Sequence, residues 1–472
     1  MGADIGFTAG EIASITGGRL ISGDPTARVD RWSIDTRSIK PGDLFVAIRG
    51  ERFDGHAFVA AALAAGAVGA MVAAGGAVPS VAGQAGAAPL LIRVADTTRA
   101  LQDAAREVRR RSGATVIAIT GSAGKTTTKE MTAELLSAKY TVLRNRGNLN
   151  NHIGLPLSLL ELSARPDVAV VELGMNHAGE IRTLVDIAAP NVRVWTNVGD
   201  AHLGFFASTD AIADAKAEIL EAARTTDLLV SNADDERIRA RVSAFSGTTL
   251  TFGLSADADV RASAVEHHGL DGMTATVTTP RAQLRIETPL LGTGNLLNLL
   301  AATAVATHMG VAAEEIADRA HRMRPASHRG ELVRLPGGVT LLDDSYNSSP
   351  AALARALETI REATGSARKI AVIGEMLELG AHAPRLHAEA GRIAAASGLD
   401  MLVAIGGVDA QALALAAATA GMLASAVIYV PTSTEAADVV ARKVRAGDLV
   451  LVKGSRGVRT DLVVDRLKVE FA

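Results

Sequence analysis

The chain contains no cysteine among its 472 residues, and this absence excludes both disulfide bonds and thiolate metal sites. It also has no excess of positive charge, because 48 lysines and arginines are outnumbered by 51 acidic residues and the formal net charge is −3. A nucleic-acid partner would require a basic surface, so the composition argues against one. No internal repeat or low-complexity tract of functional meaning is present.

The sequence offers no secretion signal and no convincing membrane span. Residues 1–5 lack a basic region followed by an apolar one, so we expect no secretion. Residues 57–92 carry no charge and are long enough to span a bilayer, but they are mostly alanine and glycine, interrupted by Gly75, Gly76 and Pro79. A small-residue helix followed by a strand and a loop is the better interpretation. We therefore predict no membrane span and a cytoplasmic location.

Length and pattern predict an α/β protein of three domains. Residues 1–112 form a small mixed unit, in which a strand at 43–49 precedes a closing helix at 98–111. Residues 113–327 alternate strands and helices, which predicts a parallel sheet with crossover helices, as in P-loop ATPases. Residues 328–472 restart this alternation as a Rossmann-like, doubly wound domain with five strands.

The predicted strands follow apolar runs, and a segment alternating Val, Thr and Ala predicts an antiparallel addition before the last long helix of the central domain. The central strands are predicted at 116–120, 168–173, 192–198 and 227–232, the antiparallel portion at 260–291, the helix at 295–309, and the C-terminal strands at 339–343, 370–373, 401–405, 427–430 and 449–452.

The most informative segment is 117–129, Ile-Ala-Ile-Thr-Gly-Ser-Ala-Gly-Lys-Thr-Thr-Thr-Lys. A strand, a glycine loop and a helix would place backbone N–H groups and a helix N-terminus against a polyphosphate. Lys125 would neutralise the β/γ oxygens, and the Thr126 hydroxyl can hold Mg²⁺. The full G-x-x-x-x-G-K-[ST] pattern is not met, because Ile119 stands where its first glycine belongs. An ordinary strand–turn–helix is the alternative, but the flanking elements favour ATP binding.

Polar residues follow the two neighbouring strands that come next along the chain. Glu172 follows the strand at 168–173, and His202 comes shortly after the one at 192–198. A carboxylate and an imidazole at strand ends beside a phosphate loop suit a Mg²⁺ site. A surface glutamate and a capping histidine are the alternative interpretation.

Three other polar positions leave alternatives open. Helical spacing predicts that Lys216 is a solvated lysine. The turn-rich segment 148–156 would either cap the helix that follows or bind a polar substrate. In the segment 343–350, carboxylates would bind ribose hydroxyls, while Ser348 or Ser349 would cap a helix, and both can hold at once.

Ordered motifs over nearly the whole length resemble the Mur ligases. The matching segments are 35–37, 42–47, 54–56, 120–127, 148–156, 172–176, 197–202, Lys216, 294–295, 328–330, 344–347, 374–380 and 453–456. One departure is Ala123, where the family usually has Asn or Ser. That position contributes mainly backbone.

The resemblance is strongest to the type that joins D-alanyl-D-alanine to UDP-N-acetylmuramoyl-tripeptide through an acyl phosphate, with ATP and Mg²⁺. It implies catalytic roles for Lys125, Lys216, Arg329 and His202. It implies nucleotide contacts by Gly121, Ser122, Ala123, Gly124, Lys125, Thr126, Thr127, Asn295, Arg329, Asp344, Tyr346 and Asn347. Implied Mg²⁺ ligands are Thr126, Glu172, His202 and a carbamylated Lys216. Implied substrate contacts are Asp35, Thr36, Arg37, His56, Asn148, Asn150, Asn151 and Asn176.

Other functions remain as alternatives at this point. Ligases of the MurE type add a single amino acid and carry an Asp-Asn-Pro-Arg element, which does not occur here. Folylpolyglutamate synthases usually have glycine after the loop lysine, where this chain has Thr126. A non-catalytic, nucleotide-gated binding protein would not need Glu172, His202 and Lys216 together. We expect a monomer.

Overall fold

Three consecutive α/β units, each built on its own main sheet, make up the protein. The computed structural model describes residues 6–50, 53–75, 88–145 and 147–472. The uncharged segment 57–92 lies partly outside these residues, and its described part forms a short helix and two strands. Within the described ranges, no helix combines the length and the hydropathy that crossing a membrane requires.

The N-terminal unit is a mixed sheet with few helices. Its strands are β1 (Phe7–Thr8), β2 (Arg19–Ser22), β3 (Arg28–Val29), β4 (Arg31–Ser33), β5 (Asp43–Val46), β6 (Gly69–Ala73) and β7 (Leu90–Val94), and its helices are α1 (Ala9–Ile15), α2 (Val59–Ala64) and α3 (Thr97–Ser112). The main sheet has the order β2-β7-β6-β5-β4 and is parallel except for the β2–β7 pair. The predicted strand near 43–49 and closing helix near 98–111 are confirmed.

The central unit holds the largest sheet. Its strands are β8 (Thr115–Thr120), β9 (Val142–Arg144), β10 (Val168–Glu172), β11 (Val192–Trp195), β12 (Leu228–Asn232), β13 (Thr248–Gly253), β14 (Val260–His267), β15 (Met273–Thr278) and β16 (Gln283–Thr288), and its helices are α4 (Lys125–Leu136), α5 (Gly154–Leu160), α6 (Glu180–Ala188), α7 (Thr209–Ala217), α8 (Glu236–Arg239), α9 (Gly292–His308) and α10 (Ala313–Arg322).

The order of this sheet is β16-β15-β14-β13-β12-β11-β8-β10-β9. Along this order, all pairs between β9 and β14, including those of β8, are parallel. The β14–β15 and β15–β16 pairs are antiparallel, which confirms the predicted antiparallel addition. The predicted strand 192–198 was too long, since β11 ends at Trp195. Strands β9 and β13 were missed because both are partly exposed and poor in the continuous apolar run that marks a buried strand, and β9 has only three residues.

The C-terminal unit has six strands, one more than predicted. They are β17 (Glu331–Arg334), β18 (Thr340–Asp344), β19 (Lys369–Gly374), β20 (Met401–Ile405), β21 (Val427–Val430) and β22 (Leu449–Lys453), with helices α11 (Pro350–Glu362), α12 (Ala383–Ala396), α13 (Val408–Thr419), α14 (Ser433–Lys443) and α15 (Asp461–Glu470). The sheet order is β17-β18-β22-β19-β20-β21. The prediction missed β17 because this antiparallel edge strand is only four residues long and half polar.

The central strands bring distant motifs to one sheet edge. Strand β8 lies between β10 and β11, and all three are parallel. Residues 116–120 of β8 are buried, because helices cover both faces of such a sheet. The loop after Thr120, the carboxylate of Glu172 and the residues after Trp195 therefore meet at the carboxyl edge.

Behind this edge, a buried ion pair joins strand β11 to the segment that follows α7. Arg193 of β11 is 1% exposed, and its Nη2 lies 3.3 Å from Oδ2 of Asp227, which is 2% exposed. Its Nη1 also donates to the carbonyl oxygens of Ile219 at 2.8 Å and Glu221 at 2.5 Å. These carbonyls follow α7 directly, so Arg193 anchors the C-terminal end of that helix to the sheet.

We expect Arg193→Met to reduce the free energy of unfolding by about 1–3 kcal/mol, because it leaves the carbonyl oxygens of Ile219 and Glu221 without this donor, while Asp227 keeps its bond to Arg224. Urea titration followed by the fluorescence of Trp195, which is fully buried on the same strand, measures the change. The matched control is Arg285→Met, at an exposed strand position. Equal midpoints for the two variants would contradict the expectation.

Candidate active site

A cavity of about 830 Å³ lies where the central and C-terminal units meet. The central unit lines it with the glycine-rich loop (residues 121–127), the ends of β10 and β11, and the start of α9. The C-terminal unit contributes the loops after β18, β19 and β22. Two sheets thus present their carboxyl ends to one space, which is where open α/β sheets bind ligands.

The glycine-rich loop is held by main-chain bonds and leaves no room for side chains at two positions. Gly121 and Gly124 have φ values of 152° and 79°, and a Cβ on Gly124 would lie 2.3 Å from Oδ1 of Asn298. The amide nitrogen of Ala123 donates to Oδ1 of Asn197 at 2.9 Å. The prediction that Ala123 contributes backbone is consistent with this bond.

Lys125 begins α4 and lies in the cavity wall. Its Nζ donates to the carbonyl oxygen of Gly121 at 2.8 Å. Burial lowers the pKa of Lys125, the nearby Glu172 carboxylate opposes this shift, and Arg329 adds to it. A cation held in a partly desolvated site interacts strongly with a polyphosphate that enters it.

Thr126 and Glu172 form an oxygen-rich cluster beside Lys125. The Thr126 hydroxyl donates to Oε2 of Glu172 at 2.6 Å, and Nδ2 of Asn150 donates to Oε1 of Glu172 at 2.8 Å. Glu172 is 4% exposed. These hydroxyl and carboxylate oxygens are the donor types that Mg²⁺ prefers. Across the described residues, no group of three or more His, Asp or Glu side chains forms a preassembled metal site.

The solvated position predicted for Lys216 from spacing is wrong. Lys216 lies near the end of α7 and is 1% exposed. Burial lowers its pKa well below the ordinary lysine value, and the charge of Lys125 lowers it further, while Glu172 opposes the shift. Within the part of the chain that the structure describes, its ammonium has no hydrogen-bond partner. Lys216 is not itself among the residues that line the cavity, but the charges of Lys125 and Glu172 act on it, so it lies close to both. Helical spacing could not reveal its burial, because that burial depends on segments distant in sequence.

His202 lies in the cavity wall and contacts the C-terminal unit. Its Nδ1 is 2.6 Å from Oε2 of Glu378, a bond that lowers the pKa of the Glu378 carboxyl. His202 and Glu172 line the same cavity, as predicted from their strand ends.

The C-terminal wall carries three cationic side chains, two of which lie around Tyr346. The Arg329 guanidinium lies 4.0 Å from the ring centroid of Tyr346, and that of Arg456 lies 5.7 Å from it. Lys453 Nζ donates to Oδ2 of Asp344 at 2.6 Å and to the carbonyl oxygen of Asn347 at 3.0 Å. These groups give the wall a positive surface suited to transferring phosphoryl charge.

The predicted helix cap in this wall does not form through a side chain. Ser349 is the N-cap residue of α11, but its hydroxyl makes no capping bond. The Ser348 hydroxyl is buried and has no hydrogen-bond partner among the described residues. Proline follows directly, and its fixed φ preorganises the first turn without a cap.

The predicted asparagines line the cavity, and most of them are also bonded within the protein. The N-cap residue of α5, Ile153, makes no side-chain capping bond, but Oδ1 of Asn151, two residues earlier, accepts the amide of Gly154 at 2.8 Å. The Asn176 amide nitrogen donates to Oε2 of Glu180 at 2.7 Å, and Asn148 also lines the cavity. Nδ2 of Asn295 donates to the carbonyl oxygen of Leu291 at 2.9 Å in the first turn of α9.

The predicted substrate contacts of the N-terminal unit do not line this cavity. Asp35 is bonded to the Arg37 guanidinium at 2.6 Å, which lowers its pKa to about 2, and Thr36 begins the turn between them. His56 is 5% exposed, and its Nδ1 lies 2.5 Å from Oδ1 of Asp54. Its Nε2 accepts the amide of Ala73 at 2.8 Å. Both ring nitrogens therefore stabilise the local fold.

Four cavity residues were not assigned a role from the sequence. Asn298 packs on the glycine-rich loop, and Glu378, Lys453 and Arg456 line the C-terminal wall. Lys453 ends β22 and Arg456 follows it. The rule that ligands gather at the carboxyl edges of strands was therefore the available signal for these two residues. No local signal marks Asn298, which lies inside a helix.

Family models match all three units. The Mur ligase middle domain matches residues 119–306, the Mur ligase, glutamate ligase domain matches residues 328–456, and the Mur ligase family, catalytic domain matches residues 28–109.

Relatives match over nearly the whole length. A Bacillus subtilis (strain 168) protein named UDP-N-acetylmuramoyl-tripeptide–D-alanyl-D-alanine ligase is 33% identical over 433 residues, which is 92% of each chain. A crystal structure of MurF from Acinetobacter baumannii has a TM-score of 0.87 and 31% identity, covering 98% of this chain and 99% of that one. MurF ligase from Thermotoga maritima in complex with ADP has a TM-score of 0.80 and 30% identity, covering 94% and 98%. The chain belongs to the Mur ligase family.

Proposed function

We propose that this chain is an ATP-dependent ligase that joins D-alanyl-D-alanine to UDP-N-acetylmuramoyl-tripeptide in peptidoglycan precursor synthesis. The observation that carries the proposal is the cavity in which Lys125 and the glycine-rich loop oppose the cations of the C-terminal wall. Relatives that cover nearly the whole chain carry this activity in their names.

The reaction has two steps. A carboxylate repels an attacking amine and offers only oxide as a leaving group, so the tripeptide carboxylate first takes the γ-phosphoryl group of ATP, releasing ADP. The amine of the dipeptide then attacks the acyl phosphate and displaces phosphate, with loss of a proton. Phosphoryl transfer depends mainly on positioning and charge neutralisation, which Lys125 and Arg329 supply from opposite walls.

The residues beside the loop fit a Mg²⁺ ion. Thr126 and Glu172 supply hard oxygen donors next to the place where the β- and γ-phosphates would lie, and Mg²⁺ is usually held by one or two carboxylates together with phosphates and water. His202 and a carbamylated Lys216 complete the proposed ligand set. When bound, the ion would supply charge neutralisation of the phosphates.

Lys216 is proposed to act as a carbamate. Its neutral amine reacts with CO₂ to give an N–CO₂⁻ group and a proton, and its lowered pKa raises the fraction of neutral amine. The carbamate would place a negative oxygen donor near Lys125 and Glu172, whose charges both act on Lys216. This would convert a buried cation without a partner into an anion that can pair with Lys125 or with the metal.

We propose that the domain boundaries lie near residues 112 and 327 and that each of the three domains binds a different substrate. The segments containing Asp35–Arg37 and His56 would bind the UDP moiety, the central domain would hold ATP, and the C-terminal domain would bind the dipeptide. Closure of the last domain would exclude water from the acyl phosphate. We further propose a cytoplasmic monomer.

ADP release tests the function. We expect rapid steady-state release only when ATP, UDP-muramoyl-tripeptide and D-Ala-D-Ala are all present, because the acyl phosphate needs the amine to turn over. Separate assays with the lysine and the diaminopimelate tripeptides identify the third residue that the enzyme accepts. Release at the same rate with and without the dipeptide would contradict the proposal, and a single amino acid replacing the dipeptide would indicate the MurE type.

A further inference from the structure

The central and C-terminal domains meet at several places, and one small contact beside the cavity we name the clasp (residues 202–204 and 378–380). The Gly204 amide nitrogen donates to the carbonyl oxygen of Glu378 at 2.8 Å. The His202 ring meets the carboxylate of the same residue at 2.6 Å. One residue of the C-terminal domain is thus bonded twice to the central domain, by its backbone and by its side chain.

The backbones at the clasp are too close for side chains. A Cβ on Gly204 would lie 2.8 Å from both the Glu378 carbonyl oxygen and the Gly380 amide nitrogen. A Cβ on Gly380 would lie 2.8 Å from the Cα of Gly204. Glycine at both positions is therefore a condition for the contact.

The two residues whose side chains meet are both in an unusual backbone conformation. His202 has φ 66° and Glu378 has φ 65°, in the left-handed region that residues other than glycine rarely adopt. Such conformations persist where surrounding structure enforces them, and they concentrate at functional sites. The two strained residues are thus the same two whose imidazole and carboxylate are bonded to each other.

The bond determines which ring nitrogen of His202 carries a proton. An ionised carboxylate can only accept, so Nδ1 donates its hydrogen to Glu378. In the neutral ring, Nε2 then has a free lone pair. No described residue lies within hydrogen-bonding distance of Nε2, so that lone pair is available to a ligand in the cavity.

We propose that Glu378 is a positioning residue that enters with the C-terminal domain and fixes His202 as a metal ligand through Nε2. Histidine ligands commonly donate their second N–H to a carboxylate, which orients the ring and increases its basicity. Here that carboxylate comes from another domain, so the metal site of the proposed function is complete only when the domains are closed. The clasp thereby couples closure to metal affinity.

The first test measures the tautomer of His202 directly. The ring ¹⁵N shifts are recorded by NMR in the ADP complex and assigned by difference from His202→Gln. We expect the Nδ1–H tautomer in the native protein and in Glu378→Gln, whose amide oxygen still accepts the proton, and its loss in Glu378→Ala. The control is Glu389→Ala, which removes an exposed glutamate of the same domain that is paired with Arg385 on its own helix.

The second test measures metal binding without turnover. Mn²⁺ is titrated by EPR in the presence of ADP, and we expect the affinity to fall about 10–100-fold in Glu378→Ala and to stay within about threefold in Glu378→Gln. Gly204→Ala keeps every side chain of the site but separates the two backbones. We expect this variant to lose Mn²⁺ affinity as Glu378→Ala does, and to show a larger radius of gyration in solution scattering of the ADP complex.

These two measurements distinguish a failure of the clasp proposal from a failure of the proposed ligase function, because neither measurement requires the tripeptide or the dipeptide. Native ring shifts and native Mn²⁺ affinity in Glu378→Ala would overturn the positioning role. Native Mn²⁺ affinity in Gly204→Ala would overturn the claim that domain closure delivers Glu378. A failed ligation assay beside positive results here would overturn the substrate assignment and leave the clasp in place.

Discussion

Lys125→Ala is expected to lower the ligation rate about 10³-fold or more while leaving the fold intact. The ammonium acts on charge that moves during phosphoryl transfer, and the loss of a single such contact typically costs about 10²–10³ in rate, rising to about 10⁵ for cationic groups in phosphoryl transfer. The loop itself is held by bonds to Asn197 and by packing on Asn298, which the substitution does not touch. Steady-state ADP release and circular dichroism measure the two effects.

The matched control is Lys443→Ala, which removes an exposed lysine at the end of α14. We expect native activity and native stability from it. Turnover within tenfold of native in Lys125→Ala would refute the assignment of the nucleotide site. Loss of the circular dichroism spectrum of the folded protein would instead show that the fold depends on the bond from Lys125 to the Gly121 carbonyl oxygen.

Lys216→Ala is expected to be nearly inactive, with a loss of at least about 10²-fold, and to recover partly in millimolar acetate or propionate. The substitution removes the proposed carbamate and leaves space for a small carboxylate at a buried position near Lys125 and Glu172. Activity is measured with and without added acid at constant ionic strength. A carboxylate should not rescue Lys125→Ala, since that variant lacks a cation, and this comparison is the control.

The state of the native side chain provides an independent check. We expect the activity of native protein to fall in CO₂-depleted buffer and to return with bicarbonate. The loss of Lys125 also removes a charge that lowers the pKa of Lys216, so carbamylation should be weaker in Lys125→Ala. Full activity of Lys216→Ala, or a free amine in the native protein under turnover conditions, would falsify the carbamate role.

The sequence predicted the parallel core because buried strands have a local signature. β8, β10 and β20 are buried on both faces and are continuous apolar runs, so their positions were predicted within a residue or two. Edge strands such as β17 and short strands such as β9 have no such run. Their formation depends on a neighbouring strand, which a local pattern does not contain.

The site residues were predictable where functional side chains follow a strand end. They were not predictable where their position depends on packing between segments distant in sequence. Residues 121–127, Glu172 and His202 met the first condition. Lys216 was predicted as solvated because its burial depends on packing with segments distant in sequence. The bond between His202 and Glu378 joins residues far apart in sequence, and only the three-dimensional arrangement reveals it.

The order of the C-terminal sheet has a consequence for how the protein is made. Its last strand, β22, lies between β18 and β19 rather than at an edge. On the ribosome, β18 and β19 therefore emerge before the strand that must separate them, and at about 5–20 residues per second they wait roughly 4–20 s for it. During that interval the edges of β18 and β19 that will pair with β22 have no partner strand. A chaperone that shields these edges would raise the yield of native protein. The cavity wall that contains Lys453 forms last, so nascent chains cannot complete the ATP site before nearly all of the chain has been synthesised.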